Sequence, residues 1–272
     1  MSGNRQNPIL PNGLGSPYNI YTAYTDTDRP HRTGTRGWLP DGRVFYWCRN
    51  ATTTALTRNL AVAQPASTTN HLEQTVAAAA DFTAGALTVT LNVGATAILL
   101  REYEEGYVAI ASAAALANGT GNVYQIRSHA GNAGSVTSTA KVYTPVQFSA
   151  DATAKFSLYR NPYMNPIVCP TSQAALPSGV PLVTLPAATS VATATVEAVG
   201  ATYGWVQTWG PCAVQADEAI TANQAEIMGT GTAGDVENDT TVTATPQLFV
   251  LGYSMSAASD TVFFLTDLRI RP

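Results

Sequence analysis

Apolar and polar positions alternate with period two along much of this chain. Residues 85–93 are the clearest case, with Leu87, Val89, Leu91 and Val93 on one side and Thr88, Thr90 and Asn92 on the other. That spacing predicts a strand with one buried face. Residues 43–49 set Val44, Phe45, Tyr46 and Trp47 between arginines, a β-branched and aromatic run suited to a pleated surface. Further strands are expected at 107–110, 122–127, 135–142 and 155–160, and then near 180–185, 190–199, 203–209, 211–216, 247–253 and 260–266. Turn residues punctuate them every ten or so positions, as at 130–134, and only 51–80 offers helical material, none of it long. Short strands without crossover helices imply an antiparallel all-β chain.

The fold class expected is mainly β: an extended N-terminal arm followed by two small antiparallel β-barrel or β-sandwich domains. The arm covers 1–42, where Pro8, Pro11, Gly13, Gly15 and Pro17 break any period while tyrosines and Trp38 supply groups that pack on something. Three prolines, Pro162, Pro166 and Pro170, crowd a segment that cannot sit inside a sheet. The boundary is therefore drawn there, giving a first β-domain over 43–165 and a second, acidic one over 166–272. A long polar loop is expected from Gly229 to about Thr245.

Charge sharpens this picture. Residues 161–267 hold nine acidic residues and no Lys or Arg, whereas the chain before Leu60 has seven arginines against three aspartates. Charged residues make up only 12% of the 272, about half the usual share, which fits a subunit that covers much of its surface with partners. Cys48, Cys169 and Cys212 are odd in number and far apart, so buried thiols are expected rather than a disulfide framework or a zinc site. The polar start and the interrupted apolar runs predict no signal peptide and no membrane span. Synthesis in the cytoplasm is expected.

Three later stretches carry a resemblance. Residues 203–214, from Tyr203-Gly204-Trp205-Val206-Gln207-Thr208-Trp209 to Val214, are followed by Leu251-Gly252-Tyr253-Ser254 and Val262-Phe263-Phe264-Leu265. This order resembles the small β-domain of tailed-phage head decoration, or cement, proteins. Glu105-Gly106-Tyr107-Val108 and the run from Gly119 to His129 are similar to phage virion proteins. The resemblance spans about 85–165 and 200–268, outside the arm. It implies a virion protein on the outer capsid surface, made in a bacterial host, with the major capsid protein as partner. Contact with further copies of itself is expected, a trimer ahead of a dimer. The alternative is a head-fibre or tail-associated protein whose Trp209 and Asp217 region binds host glycans. A major capsid protein is disfavoured, because no long spine helix is visible.

Candidate chemistry is sparse. His31, His71 and His129 stand in polar or turn-rich contexts, and neither GxSxG nor HExxH occurs. Glu104–Glu105 and Asp217–Glu218 are adjacent pairs, and neighbours on a strand point to opposite faces. The glycines of 229–234 lack a following Lys and a helix start, and Asp235, Glu237 and Asp239 lack EF-hand spacing. No enzyme, cofactor, metal or direct nucleic-acid partner is expected. Capsid contact is instead assigned to Tyr18, Tyr21, Tyr24, Arg29, Arg32, Arg36, Trp38 and Arg43, arginine forks being suited to a neighbour's carboxylates. Tyr203, Trp205 and Trp209 alternate on one face and are expected to form core and subunit interface together, Trp205 inside and Trp209 near the rim.

Overall fold

The computed structural model describes residues 20–28, 30–76, 79–111, 121–150, 154–172, 175–239 and 249–272. Strands β1 (Tyr24–Thr25), β2 (Arg36–Trp38), β3 (Val44–Asn50) and β4 (Val62–Ala63) come first. They are followed by β5 (Gln74–Thr75), β6 (Thr88–Asn92), β7 (Tyr107–Ala111), β8 (Val123–His129), β9 (Thr137–Val142) and β10 (Lys155–Tyr159). The chain then forms β11 (Ile167–Val168), β12 (Pro177–Pro181), β13 (Thr202–Gln215), β14 (Ala225–Met228), β15 (Val236–Asn238), β16 (Gly252–Ser254) and β17 (Phe263–Arg269). Among the described residues, helix is limited to three short 3₁₀ turns, one within 51–80 (Thr69–His71) and another running just past it (Ala79–Phe82). The protein is mainly β, built from two curled antiparallel sheets.

The sheets belong to two compact units, and these are not the contiguous domains expected from the sequence. One unit joins 1–65, 165–189 and 200–272; the other joins 66–164 and 190–199. The proline-rich segment does hold one crossing, at 164/165. However, β3 pairs along β13, more than 150 residues later (Tyr203 opposite Arg49, Trp205 opposite Trp47), and so shares a sheet with it. Strand pairing is a long-range choice that a local pattern does not encode. The charge contrast along the chain dissolves accordingly. The first unit holds nine basic and eleven acidic residues and the second five and seven, each a net of −2.

In the first unit the sheet runs β11-β4-β12-β13-β17-β16-β14-β15, with β1 and β3 also on β13 and β2 on the outside of β3. Its inner face buries Cys212, Val214, Phe264, Leu268, Met228 and Leu251 with Ala61, Cys169 and Val180. Residues 203–216 form one strand rather than two. Gly210, at φ +82°, lets the backbone kink where Pro211 has no N–H to offer. Residues 20–42 are not a free arm: Ile20 and Leu39 are buried, and β1 and β2 lie in the sheet. The expected polar loop from 229 contains β15, a partner for β14.

In the second unit the sheet runs β5-β10-β7-β8-β9-β6. Val89, Leu91, Val93, Val108, Ile110, Tyr124, Ile126, Phe156 and Leu158 fill its core. Leu87 lies outside that core, 52% exposed, just before β6 begins. Residues 190–199 are a loop closed by a Ser190–Val199 bridge, not a strand, and expose Val191, Val196 and Val199. Nearby, a side chain on Gly131 would strike the Ala194 carbonyl, so only glycine fits there. Histidines hold this unit together internally. His71 Nε2 faces the Thr96 carbonyl at 3.0 Å and must donate, so its Nδ1 accepts from the Tyr103 hydroxyl at 2.6 Å. His129 Nε2 accepts from the Tyr103 amide at 2.9 Å. The ionic group beside them is Arg160 with Glu102, whose carboxylate also accepts from the Leu99 amide.

Glu226 is the anomaly of the first unit, a carboxyl buried on the core side of β14. Burial pushes it up to about 7, against a smaller opposing effect of the Thr266 hydrogen bond. Thr266 Oγ1 stands between Glu226 Oε2 and the Tyr253 carbonyl, 3.1 Å from the latter. A hydroxyl has one hydrogen to donate, so both contacts are hydrogen bonds only when the carboxyl carries a proton. The raised value means the folded state holds that proton between the unfolded and folded values. Stability is thus full below about 4.5 and falls as pH rises through about 7. Glu226→Gln, which keeps a neutral donor to Thr266, should match the wild type at pH 4 and exceed it by on the order of 3 kcal/mol at pH 8. Denaturant titrations at both pH values read this directly; an equal gap at the two would mean that Glu226 is ionised throughout.

Candidate functional site

The site begins at the β2–β3 hairpin. Asp41 closes its turn by accepting from the Arg43 amide at 3.1 Å and from Arg43 Nε at 2.8 Å. Directly opposed residues share a face, so the pairs Arg36–Tyr46, Trp38–Val44, Val44–Trp209 and Trp209–Arg269 carry one face from β2 across β3 and β13 to β17. Arg36 lies over the Trp38 ring at 5.6 Å, Arg43 over Phe45 at 5.8 Å and Arg269 over Trp209 at 4.4 Å. Each such contact is worth about 0.5–1 kcal/mol at an exposed site, and each holds a guanidinium in place. Arg36 Nε and the Tyr46 hydroxyl also meet at the Pro272 carbonyl, 3.2 and 3.3 Å away.

A bulge decides which way Trp209 faces. The β3–β13 register slips between Gln207 and Trp209, so Tyr203, Trp205 and Gln207 point to one side and Trp209 to the other. Gln207, fully buried, donates its amide toward the carbonyls of Trp209, Gly210 and Pro211 at 3.1, 3.1 and 2.8 Å. Those carbonyls belong to the irregular stretch, and the two hydrogens of the one side-chain amide are shared among the three of them.

The face expected of the aromatic strand is therefore divided. Tyr203 and Trp205 are core: Trp205 meets Trp47 edge-on at 5.0 Å, and both rings are fully buried. Arg49 Nε donates to the Tyr203 hydroxyl at 3.1 Å, which donates to Asp26 at 2.5 Å. That chain of contacts carries the buried Arg49 charge to a carboxylate. Neither aromatic residue is available to a partner. Trp209 is half-buried at the rim with Arg269 against its ring. Asp217 stands eight residues further on, roughly 25 Å along an extended chain, and accepts from the Gly231 amide at 2.6 Å.

Among the residues expected at the partner surface, Arg32 and Arg36 are exposed, Trp38 and Arg43 are half-buried, and all except Arg32 gather on the hairpin. Tyr21 is exposed, whereas Tyr24 sits in β1 with its ring 5.4 Å from Trp47. Tyr18 and Arg29 lie outside the described residues. Sequence reasoning missed Arg269. Its signal was available: it and Arg271 are the only basic residues after Arg160. His31 packs on Trp47 and Trp205 at 5.1 and 5.3 Å, and burial lowers its pKa. Glu104 and Glu105 lie in a turn before β7, and their side chains still separate, one to Arg101 and the other to Tyr143 and Gln125. The three thiols are buried and unpaired with one another. No group of three or more His, Cys, Asp or Glu side chains among the described residues is placed to hold a metal ion.

Set against protein-family models, characterised proteins and solved structures, the chain matches none. The site has to be read from its own chemistry. It offers guanidinium groups held against half-buried tryptophan rings, and β2 is a short edge strand paired on one side only among the described residues. Such an arrangement suits carboxylates and extended backbone on another protein.

Gln207→Leu should lower stability by about 2 kcal/mol through the stranded carbonyls and red-shift tryptophan emission as Trp209 leaves Arg269. In a Trp209→Phe background the stability loss should persist and the spectral change disappear. A shift that survives in that background would place its origin at another tryptophan.

Proposed function

We propose that this protein is a virion structural protein that binds the outer surface of a phage capsid and stabilises it. The observation that carries the reading is the β2–β3 hairpin. Exposed Arg32 and Arg36 and half-exposed Trp38 flank a three-residue edge strand in a chain with only 12% charged residues. The resemblance of 203–214, 251–254 and 262–265 to head decoration proteins supports it. In this reading the major capsid protein supplies a strand edge and carboxylates, which β2 and its arginines engage without any chemical step. A ligand selective for the expanded shell stabilises that state by roughly 2.7 kcal/mol per site at a hundredfold excess over Kd, and the effect repeats over every site.

The experiment is co-sedimentation of the full chain with undecorated heads, expanded and unexpanded, beside a host-glycan array. Saturable binding to expanded heads alone is the expected result. Reversing Arg32→Glu and Arg36→Glu should weaken it by at least about tenfold and lower melting by only a few degrees, through the lost exposed contacts of Arg36 with Trp38 and Pro272. Deleting 1–42 would not isolate this contact, because it would also remove β1, β2 and the buried Ile20 and Leu39. Binding to glycan and not to heads would overturn the capsid reading in favour of host recognition.

A further inference from the structure

The face that carries Trp209 and Arg269 continues along β17 and changes character. Pairing sets Ala213 beside Leu265, Gln215 beside Phe263 and Tyr253 beside Asp267, and the Met255 amide donates to the Leu265 carbonyl at 2.8 Å. Phe263, Leu265, Tyr253 and Met255 point away from the core and are 41–53% exposed. With Val262 they offer on the order of 500 Å² of contiguous apolar surface, as much as a monomer's largest patch normally holds.

The ends of this patch carry opposite charge. Arg269 and Arg271 lie at one end, Arg269 already paired with Asp267. At the other, the Thr261 amide donates to the Ala216 carbonyl at 3.0 Å, bringing Asp260 beside the end of β13, where Asp217 and Glu218 follow. Both Asp217 and Asp260 act electrostatically on Asp235, so this end is a shared negative field. Nine residues of extended chain separate Asp260 from Arg269, roughly 30 Å.

We infer that this face is a two-fold interface with a second copy of the chain. A two-fold axis through the middle of β17 lays apolar centre on apolar centre and brings each acidic end onto the partner's basic end. A surface that is negative, apolar and positive in sequence is complementary to itself in that one orientation. Two sheets packing face to face keep their strands nearly aligned, so the charged ends meet. A standard interface takes about 800 Å² from each partner; the apolar centre supplies more than half and the charged ends the remainder. The symmetry is two-fold, in place of the trimer expected from sequence. The hairpin arginines assigned to capsid contact lie across β13 from β17 and take no part in it.

The test is sedimentation equilibrium of the full chain over micromolar concentrations at low and high salt. The wild type should be a dimer, weakened by salt. Phe263→Thr with Leu265→Thr, both outward positions that keep β-forming side chains, should weaken association about a hundredfold, while the dissociated monomer, compared at high dilution, melts as the wild type does. Asp260→Arg alone should weaken it, and Asp260→Arg with Arg269→Glu should restore it. A wild-type monomer, a trimer, a dimer indifferent to the apolar pair, or an Asp260→Arg loss without rescue would each overturn the inference. Head binding is a separate readout. A monomer that still binds expanded heads sinks the dimer and leaves the capsid reading standing, and a dimer that ignores heads does the reverse.

Discussion

The backbone ladder along β13 is the constraint on which the first unit depends. Its fourteen residues pair with β1, β3, β12 and β17, so segments drawn from both ends of the chain meet along it. A register slip of one residue would turn Trp205 and Tyr203 out of the core. The Trp47–Trp205 contact and the Arg49–Tyr203–Asp26 chain resist that slip by burying two indoles and one charge in a single alignment. Gln207 then holds the bulge that lets the same strand turn Trp209 the other way.

One strand thereby does two jobs. Before the bulge its aromatic residues are core on one face, and after it the opposite face carries Trp209, Pro211 and Ala213 outward beside Arg269 and Leu265. Inner positions Cys212, Val214, Phe264 and Leu268 keep the sheet packed, so the outer ones can be varied with little cost to the fold. The proposed partner contacts and stability are therefore separable here. The second unit is closed in a different way: its histidines and Glu102 are spent on internal hydrogen bonds.

Buried ionisable groups pull stability in opposite directions with pH. Glu226 and Asp235 are raised, to about 7 and about 6, chiefly by burial, and so favour the folded state at lower pH. His31 and His129 are lowered by burial, so their stabilising effect is present above the unfolded value and is lost as pH falls.

Much was legible in the chain alone. Period-two alternation marked β6, β8, β9, β10 and β17, since burying one face of a strand writes itself into every second residue. Even the absence of long helices followed from the spacing of turn residues. Gathering Arg36, Trp38 and Arg43 in one place was also local, because a hairpin brings near neighbours together. Pairing partners were beyond reach: nothing in 44–50 names 202–209 as its neighbour, and so the contiguous domains drawn at 165 were replaced by two interleaved units. The bulge was equally hidden, since a continuous alternation of Tyr203, Trp205, Gln207 and Trp209 reads as one face unless the extra residue is known. Local pattern fixes which side of a strand avoids water. Only tertiary pairing decides which strand lies beside it, because hydrogen bonds between backbones are the same for every sequence.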